Sequence, residues 1–233
     1  SQIFDLTEDG LLPAEIELSE NDIVVVESVS NPLCKVADVI SLQETAKEKN
    51  AVVIIDNTIP SSEMFPIKPN EHCLVVESLT KYHLMNTSWA GLVSTSESFQ
   101  HQVHEIIKLF GFALTAETAS SLEKAMFTLK LRLELQNKNK AEVHQWLSEK
   151  QNQHVAKFEV VSTNTSVRHP FIVLKFDHIT TAQKAMDAFT DILPSPSFGG
   201  PQTMVSLGNF HTTPGTATML ERRGVDGKIL RIC

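Results

Sequence analysis

Ala51-Val52-Val53-Ile54-Ile55-Asp56-Asn57-Thr58 is an apolar, β-branched run that stops abruptly on polar residues. Such a run reads as a strand of a parallel sheet, covered on both faces, and Ile23-Val24-Val25-Val26-Glu27 and Leu74-Val75-Val76 read the same way. Between the first two, Val36, Val39, Ile40, Leu42 and Ala46 recur at helical spacing within the segment from Val36 to Lys49. Strand, helix and strand in about thirty residues make a βαβ unit with an expected right-handed crossover. The fold class is therefore α/β, with a mostly parallel sheet.

Downstream, Phe99 to Phe110 suggests a helix, and from Thr115 to Lys150 there is neither glycine nor proline. Leu122, Met126, Leu129, Leu133, Val143 and Leu147 repeat there at helical intervals, which predicts one long helix or two in series. Phe158 to Val161 and Phe171 to Phe176 then read as strands, and Thr180 to Asp191 as an amphipathic helix. Ser197-Phe198-Gly199-Gly200 reads as a turn, and Lys228 to Ile232 as a final short strand. The expected division is a main sheet domain over 1–114, a connecting helix or helix pair over 115–150 and a smaller α/β domain over 151–233.

The 233 residues carry a formal charge of -8 with no offsetting basic stripe, which argues against a nucleic-acid partner. No apolar run approaches the roughly 20 residues that span a bilayer, and Ser1-Gln2-Ile3-Phe4-Asp5 is not a signal peptide, so no membrane association is expected. Cys34, Cys73 and Cys233 are scattered and odd in number, which fits a reducing, cytoplasmic setting. Cys73 reads as a small core residue. His101 and His104, at i and i+3 without an evident third ligand, read as a solvated helix face, so no metal is expected.

Ligands of open parallel sheets bind beyond the carboxyl ends of the strands, where Ser30-Asn31-Pro32, Asp56-Asn57-Thr58 and Ser78-Leu79-Thr80-Lys81 fall. Individually, a lysine there is ordinarily a solvated charge and an aspartate a turn former. Together they suit pyridoxal phosphate. The Lys81 amine can form a Schiff base with the aldehyde, Asp56 can keep the pyridine nitrogen protonated, and the hydroxyls of Ser78 and Thr80 can donate to the phosphate.

The order Glu27-Ser28-Val29-Ser30-Asn31-Pro32, Asp56-Asn57-Thr58 and Ser78-Leu79-Thr80-Lys81-Tyr82 resembles the Cys/Met-metabolism, or trans-sulfuration, family of pyridoxal-phosphate enzymes. That family includes cystathionine γ-synthase, the cystathionine lyases, methionine γ-lyase and O-acylhomoserine sulfhydrylases. Lys124-Ala125-Met126-Phe127-Thr128-Leu129-Lys130-Leu131-Arg132 is similar to its RGLxTLxLR motif with the first Arg-Gly replaced. Ser197 to Gly200 resembles its SLGG, and Gly224 through Ile232 its terminal GxxxxLIRLS. The resemblance implies a fold-type I transferase-like architecture, with 1–114 as the C-terminal part of the cofactor-binding large domain and a smaller C-terminal domain. It also implies roles: Lys81 as cofactor lysine and proton shuttle, Asp56, Ser78 and Thr80 as cofactor ligands, and Asn31 near the cofactor or the substrate carboxylate. Arg231, with Ser197, would clamp that carboxylate; outside the motif, Arg231 reads as a surface arginine on a terminal strand.

The implied activity is β/γ-elimination or γ-replacement on sulfur amino acids or O-acylhomoserines, as a lyase or transferase. The implied partners are an amino-acid substrate and further subunits, as a homodimer or tetramer, or a chain carrying the N-terminal part of the family's longer polypeptide. The glycine-containing phosphate cup and ring-stacking tyrosine expected of that part are not found in this sequence. Its only tyrosine is Tyr82, and the only glycine before Gly91 is Gly10. His83 to Trp89 also departs from the residues that usually follow the lysine motif. The alternative is a non-catalytic remnant or binding subunit of the same fold that needs an intact partner chain.

Overall fold

The computed structural model describes residues 2–152, 158–161, 167–208, 221 and 225–233. The chain forms two compact units, 1–30 with 35–128 and 31–34 with 129–233. The first contains β1 (Ile23–Glu27), α1 (Val39–Glu48), β2 (Val52–Asp56), α2 (Ser61–Met64), β3 (Cys73–Ser78), β4 (Gly91–Ser94) and α3 (Glu97–Phe110). Its sheet has the order β1-β2-β3-β4. The first three strands are parallel and β4 is antiparallel to β3.

The predicted βαβ unit is present, but its helix begins later than the apolar periodicity suggests. Val36 is taken up by an antiparallel bridge to Val29, and Asp38 then caps α1 by accepting the Ser41 N–H at 3.0 Å. Those contacts with Ser41 hold the Asp38 carboxyl below its usual range. The Asp38 N–H donates in turn to Gly10 O at 3.0 Å. Gly10 has φ 80, and a Cβ there would collide with Val36 O, so this close approach requires glycine.

The expectation that Ile23 to Glu27 is covered on both faces is not met. Val24 and Val26 join Val53, Ile55, Cys73 and Val75 against Val39, Leu42 and Ala46 of α1. On the opposite face Ile23 is 65% exposed and Val25 71%. β1 is an edge strand, and within this chain α1 covers only one side of it. A β-branched run reports strand propensity and does not count the layers packed over it.

α4 (Ala116–Asn152) is one unbroken helix, and the division between the units falls within it, after Thr128. In the second unit Leu129, Leu133 and Leu147 of α4 are buried. Its sheet, β5-β6-β9-β8-β7, comprises β5 (Phe158–Val160), β6 (Ile172–Phe176), β7 (Leu193–Pro194), β8 (Met204–Leu207) and β9 (Ile229–Ile232). Pro194, which lacks an N–H for the ladder, stands on the edge strand β7. α5 (Ile179–Asp187) contributes Ala182 to a core with Ile172, Leu174, Val205, Leu207 and Leu230. Among the described residues no helix is long and apolar enough to cross a membrane.

Candidate active site

β1, β2 and β3 run parallel and in register, Glu27 beside Asp56 and Asp56 beside Val76, so their carboxyl ends reach one sheet edge. The half-buried Asp56 ends β2, and the half-buried Lys81 follows the end of β3. A hydroxyl joins the two strand ends. Asp56 Oδ1 accepts from the Thr58 N–H at 2.9 Å and from Thr58 Oγ1, while Thr58 Oγ1 accepts the Ser78 N–H at 2.9 Å. A β-branched residue with one hydroxyl thus donates to the carboxylate and accepts from the neighbouring strand, which orients Asp56 relative to Ser78.

Beneath this edge, Asn57 is fully buried and cross-links the unit. Its Oδ1 accepts from Ser28 Oγ at 2.7 Å and its Nδ2 donates to Phe65 O at 2.8 Å. The segment carrying Lys81 is anchored from several sides. Tyr82, 1% exposed, donates its hydroxyl to Ile59 O at 2.8 Å. His83 Nδ1 lies 3.6 Å from Glu77 Oε1, and Glu77 Oε2 accepts from Ser62 N at 3.0 Å and Ser62 Oγ at 2.7 Å. The Thr80 hydroxyl is engaged with the backbone of Ala90, accepting its N–H at 3.0 Å and donating to its carbonyl at 3.3 Å. Met85 and Asn86 follow with φ of 52 and 62. Burial pushes the Cys73 thiol up to about 11, so it remains protonated and unreactive at neutral pH.

In the second unit three predicted residues come together. Arg231 on β9 is 3% exposed; its Nη1 donates to Asn31 Oδ1 at 2.9 Å, and its Nη2 to Pro196 O at 2.8 Å and Ser197 O at 2.9 Å. The guanidinium also lies over the rings of Phe171, at 5.0 Å, and Phe198, at 5.6 Å. It is therefore far from the solvated terminal arginine that its position alone suggests. Gly224, the start of the corresponding motif, lies outside the described residues.

Over residues 1–233 the sequence matches the family described as Cys/Met metabolism PLP-dependent enzyme. The chain belongs to that family. Among curated relatives, cystathionine beta-lyase of Saccharomyces cerevisiae is 29% identical over 164 residues, 68% of this chain and 34% of the relative. Methionine gamma-lyase of Arabidopsis thaliana is 28% identical over 60% of this chain and 32% of its own length. Cystathionine gamma-synthase 1 of Nicotiana tabacum is 26% identical over 87% and 40%. The chain thus spans about a third of the length of the curated relatives it matches. The solved cystathionine gamma synthase of Xanthomonas oryzae pv. oryzae superposes with a TM-score of 0.77 at 20% identity, covering 91% of this chain and 58% of that one. This likeness bears out the α/β, fold-type I architecture.

The family's cofactor can be tested against the donor set. A pyridoxal phosphate site needs an amine, a fixed carboxylate for the ring nitrogen and hydroxyl or backbone donors for phosphate. Lys81, Asp56 held by Thr58, and Ser78 supply one of each from adjoining strand ends, so the residues suit the group. The sequence places Thr58 in the polar strand-end cluster with Asp56 but assigns it no role. Its position after Asp56 was visible, but a bifunctional hydroxyl bridge emerges only once β2 and β3 are paired.

Proposed function

We propose that the chain contributes the cofactor lysine and the carboxylate clamp of a trans-sulfuration-type enzyme acting on sulfur amino acids or O-acylhomoserines. The observation that carries this reading is the Ser78–Thr58–Asp56 hydrogen-bond chain, which fixes a carboxylate at the strand edge beside the lysine-bearing segment.

When bound, pyridoxal phosphate supplies an electron sink for elimination or replacement at the substrate's β or γ carbon. In this reading Lys81 Nζ would be the amine that holds the cofactor and the base that moves the substrate's α-proton. Asp56 keeps the ring nitrogen protonated through a charge-assisted hydrogen bond, and Thr58 prevents the carboxylate from rotating away. Ser78 would donate to the phosphate, while the Thr80 hydroxyl, expected from the sequence to do the same, gives its proton to the Ala90 carbonyl and holds the segment in place. Arg231 takes the substrate α-carboxylate, a task suited to a planar cation, with Asn31 and Ser197 fixing its rotamer. The substrate class follows the names of the relatives, cystathionine and methionine lyases and a cystathionine synthase.

The same reading makes the working enzyme an oligomer, either of this chain or with a chain that supplies the phosphate cup and stacking aromatic. The scattered cysteines suit a reducing, cytoplasmic compartment. The competing reading, a non-catalytic binding subunit of the same fold, is favoured by the left-handed Met85–Asn86 step in the lysine segment.

The deciding experiment is incubation with pyridoxal phosphate, borohydride reduction and peptide mapping. Label on Lys81 that disappears in Lys81→Ala and falls sharply in Asp56→Ala supports the enzyme reading. Absence of label on Lys81, even with a candidate partner chain present, would leave the binding-subunit reading in its place.

A further inference from the structure

Trp89 stands 89% exposed between Lys81 and β4, in the stretch that departs from the family's pattern, and the roles above leave it unused. The Thr80 N–H donates to Ala90 O at 3.2 Å, and the Ala90 N–H donates to Thr80 Oγ1 at 3.0 Å. β3 and β4 run antiparallel, so Lys81, which follows Thr80, and Trp89, which precedes Ala90, leave this link in the same direction. The indole-bearing residue is thereby held next to the lysine-bearing one.

The neighbouring strand ends leave room for a ligand. Val53, Ile55 and Val75 pack against α1, so the alternation of strands assigns Ile54, Asp56, Val76 and Ser78 to the opposite face. Antiparallel pairing adds Val93, beside Val76, and Gly91, beside Ser78. That face is open to solvent: Val93 is 40% exposed, and Ile54 and Val76 are only partly buried. Gly91 does not adopt a left-handed φ, and a Cβ there would meet its nearest neighbour, Glu77 O, at 3.8 Å, an ordinary contact. Neither its backbone nor its packing within this chain requires glycine, and a strand glycine of this kind marks a place where something else approaches closely. The missing side chain leaves space next to Ser78, on the face to which Asp56 belongs.

Resting on the proposed function, we infer that Trp89 covers one face of the cofactor's pyridine ring and that Gly91 keeps open the space in which the cofactor lies. A ring whose nitrogen Asp56 keeps protonated is a flat cation, and indole is the strongest aromatic partner for a cation. This aromatic comes from the same segment as Lys81, so the chain covers the ring in part by itself.

The test is absorbance titration with pyridoxal phosphate followed by borohydride reduction, on the unaltered chain, Trp89→Ala, Trp89→Phe, Gly91→Ala and, as control, Trp146→Ala, which removes a half-exposed indole of α4. Trp89→Ala should raise Kd about tenfold, the size of one cation–π contact, with substantial recovery in Trp89→Phe and no change in Trp146→Ala. Gly91→Ala should also raise Kd about tenfold by crowding the cofactor, with an unchanged urea midpoint because the new Cβ clashes with nothing in the protein. Emission gives a second readout: Trp89 is the remaining tryptophan in Trp146→Phe, and the cofactor should quench it more strongly than it quenches Trp146 in Trp89→Phe. Unchanged Kd in either Trp89→Ala or Gly91→Ala, with Lys81 still labelled, overturns the inference while the proposed function stands. A weakening in Trp89→Ala that Trp89→Phe does not relieve overturns it too, since it would assign the indole to a contact other than the ring. If Lys81 of the unaltered chain takes no label, the proposed function has failed first and the inference falls with it.

Discussion

The two sheets of this chain use similar residues to opposite effect. In the second unit β6 and β9 bury nearly every position, and even the charged Arg231 is sealed between aromatic rings. In the first unit β1 alternates between partly covered and exposed valines and isoleucine, and both Asp56 and Lys81 stay half-buried. The carboxylate-binding candidate Arg231 is thus enclosed within its own unit, whereas Asp56 and Lys81 belong to a sheet whose first strand leaves Ile23 and Val25 exposed. Stability in this molecule should therefore be concentrated around Arg231 in the second unit and be lower around Asp56 and Lys81.

The largest test of that contrast is Leu230→Ala. Leu230 is fully buried in the second unit, and its truncation should cost about 3 kcal/mol in urea unfolding. Acidification should act on the same unit with similar size. His169 titrates near 4 when folded against an ordinary 6.5, so the unfolded chain takes up the proton first as pH falls. Its contribution is complete above pH 6.5 and is lost progressively toward pH 4, amounting to roughly 3 kcal/mol; His169→Gln should flatten that slope in unfolding curves measured across the range.

Asn57→Leu should cost the first unit about 2 kcal/mol, because the Phe65 carbonyl and Ser28 hydroxyl lose their partner in a dry site. Thr58→Val should cost about 1 kcal/mol and weaken pyridoxal phosphate binding in absorbance titrations, since Asp56 loses its tether to the Ser78 strand end. Smallest of all, Ile23→Ala should shift stability by less than about 0.5 kcal/mol, as expected for a side chain left 65% exposed. A cost for Ile23→Ala approaching that of Leu230→Ala would abolish the contrast and imply that the bare face is covered in solution.

Much of the architecture was legible because hydrophobic period and strand-end chemistry are local. The βαβ unit, the uninterrupted α4, and the placing of Asp56 and Lys81 at neighbouring strand ends all follow from runs and their terminations. Burial was not legible in the same way. Whether Val25 is covered depends on β1 being an edge strand, and whether Arg231 is dry depends on Phe171 and Phe198 arriving from elsewhere in the chain. The buried His83–Glu77 contact and the tautomer of His169 are likewise long-range products, and no spacing in the sequence announces them.

The left-handed pair Met85–Asn86 has a consequence for time as well as shape. Asparagine tolerates that region, but methionine there gives up roughly 1–2 kcal/mol of backbone energy, which the anchors at Tyr82, His83 and Ala90 must outweigh. Local opening recovers that energy, so amides of the lysine-bearing segment should exchange with solvent well before those of β3. The segment that carries Lys81 should thus open locally at a cost below that of the sheet beneath it.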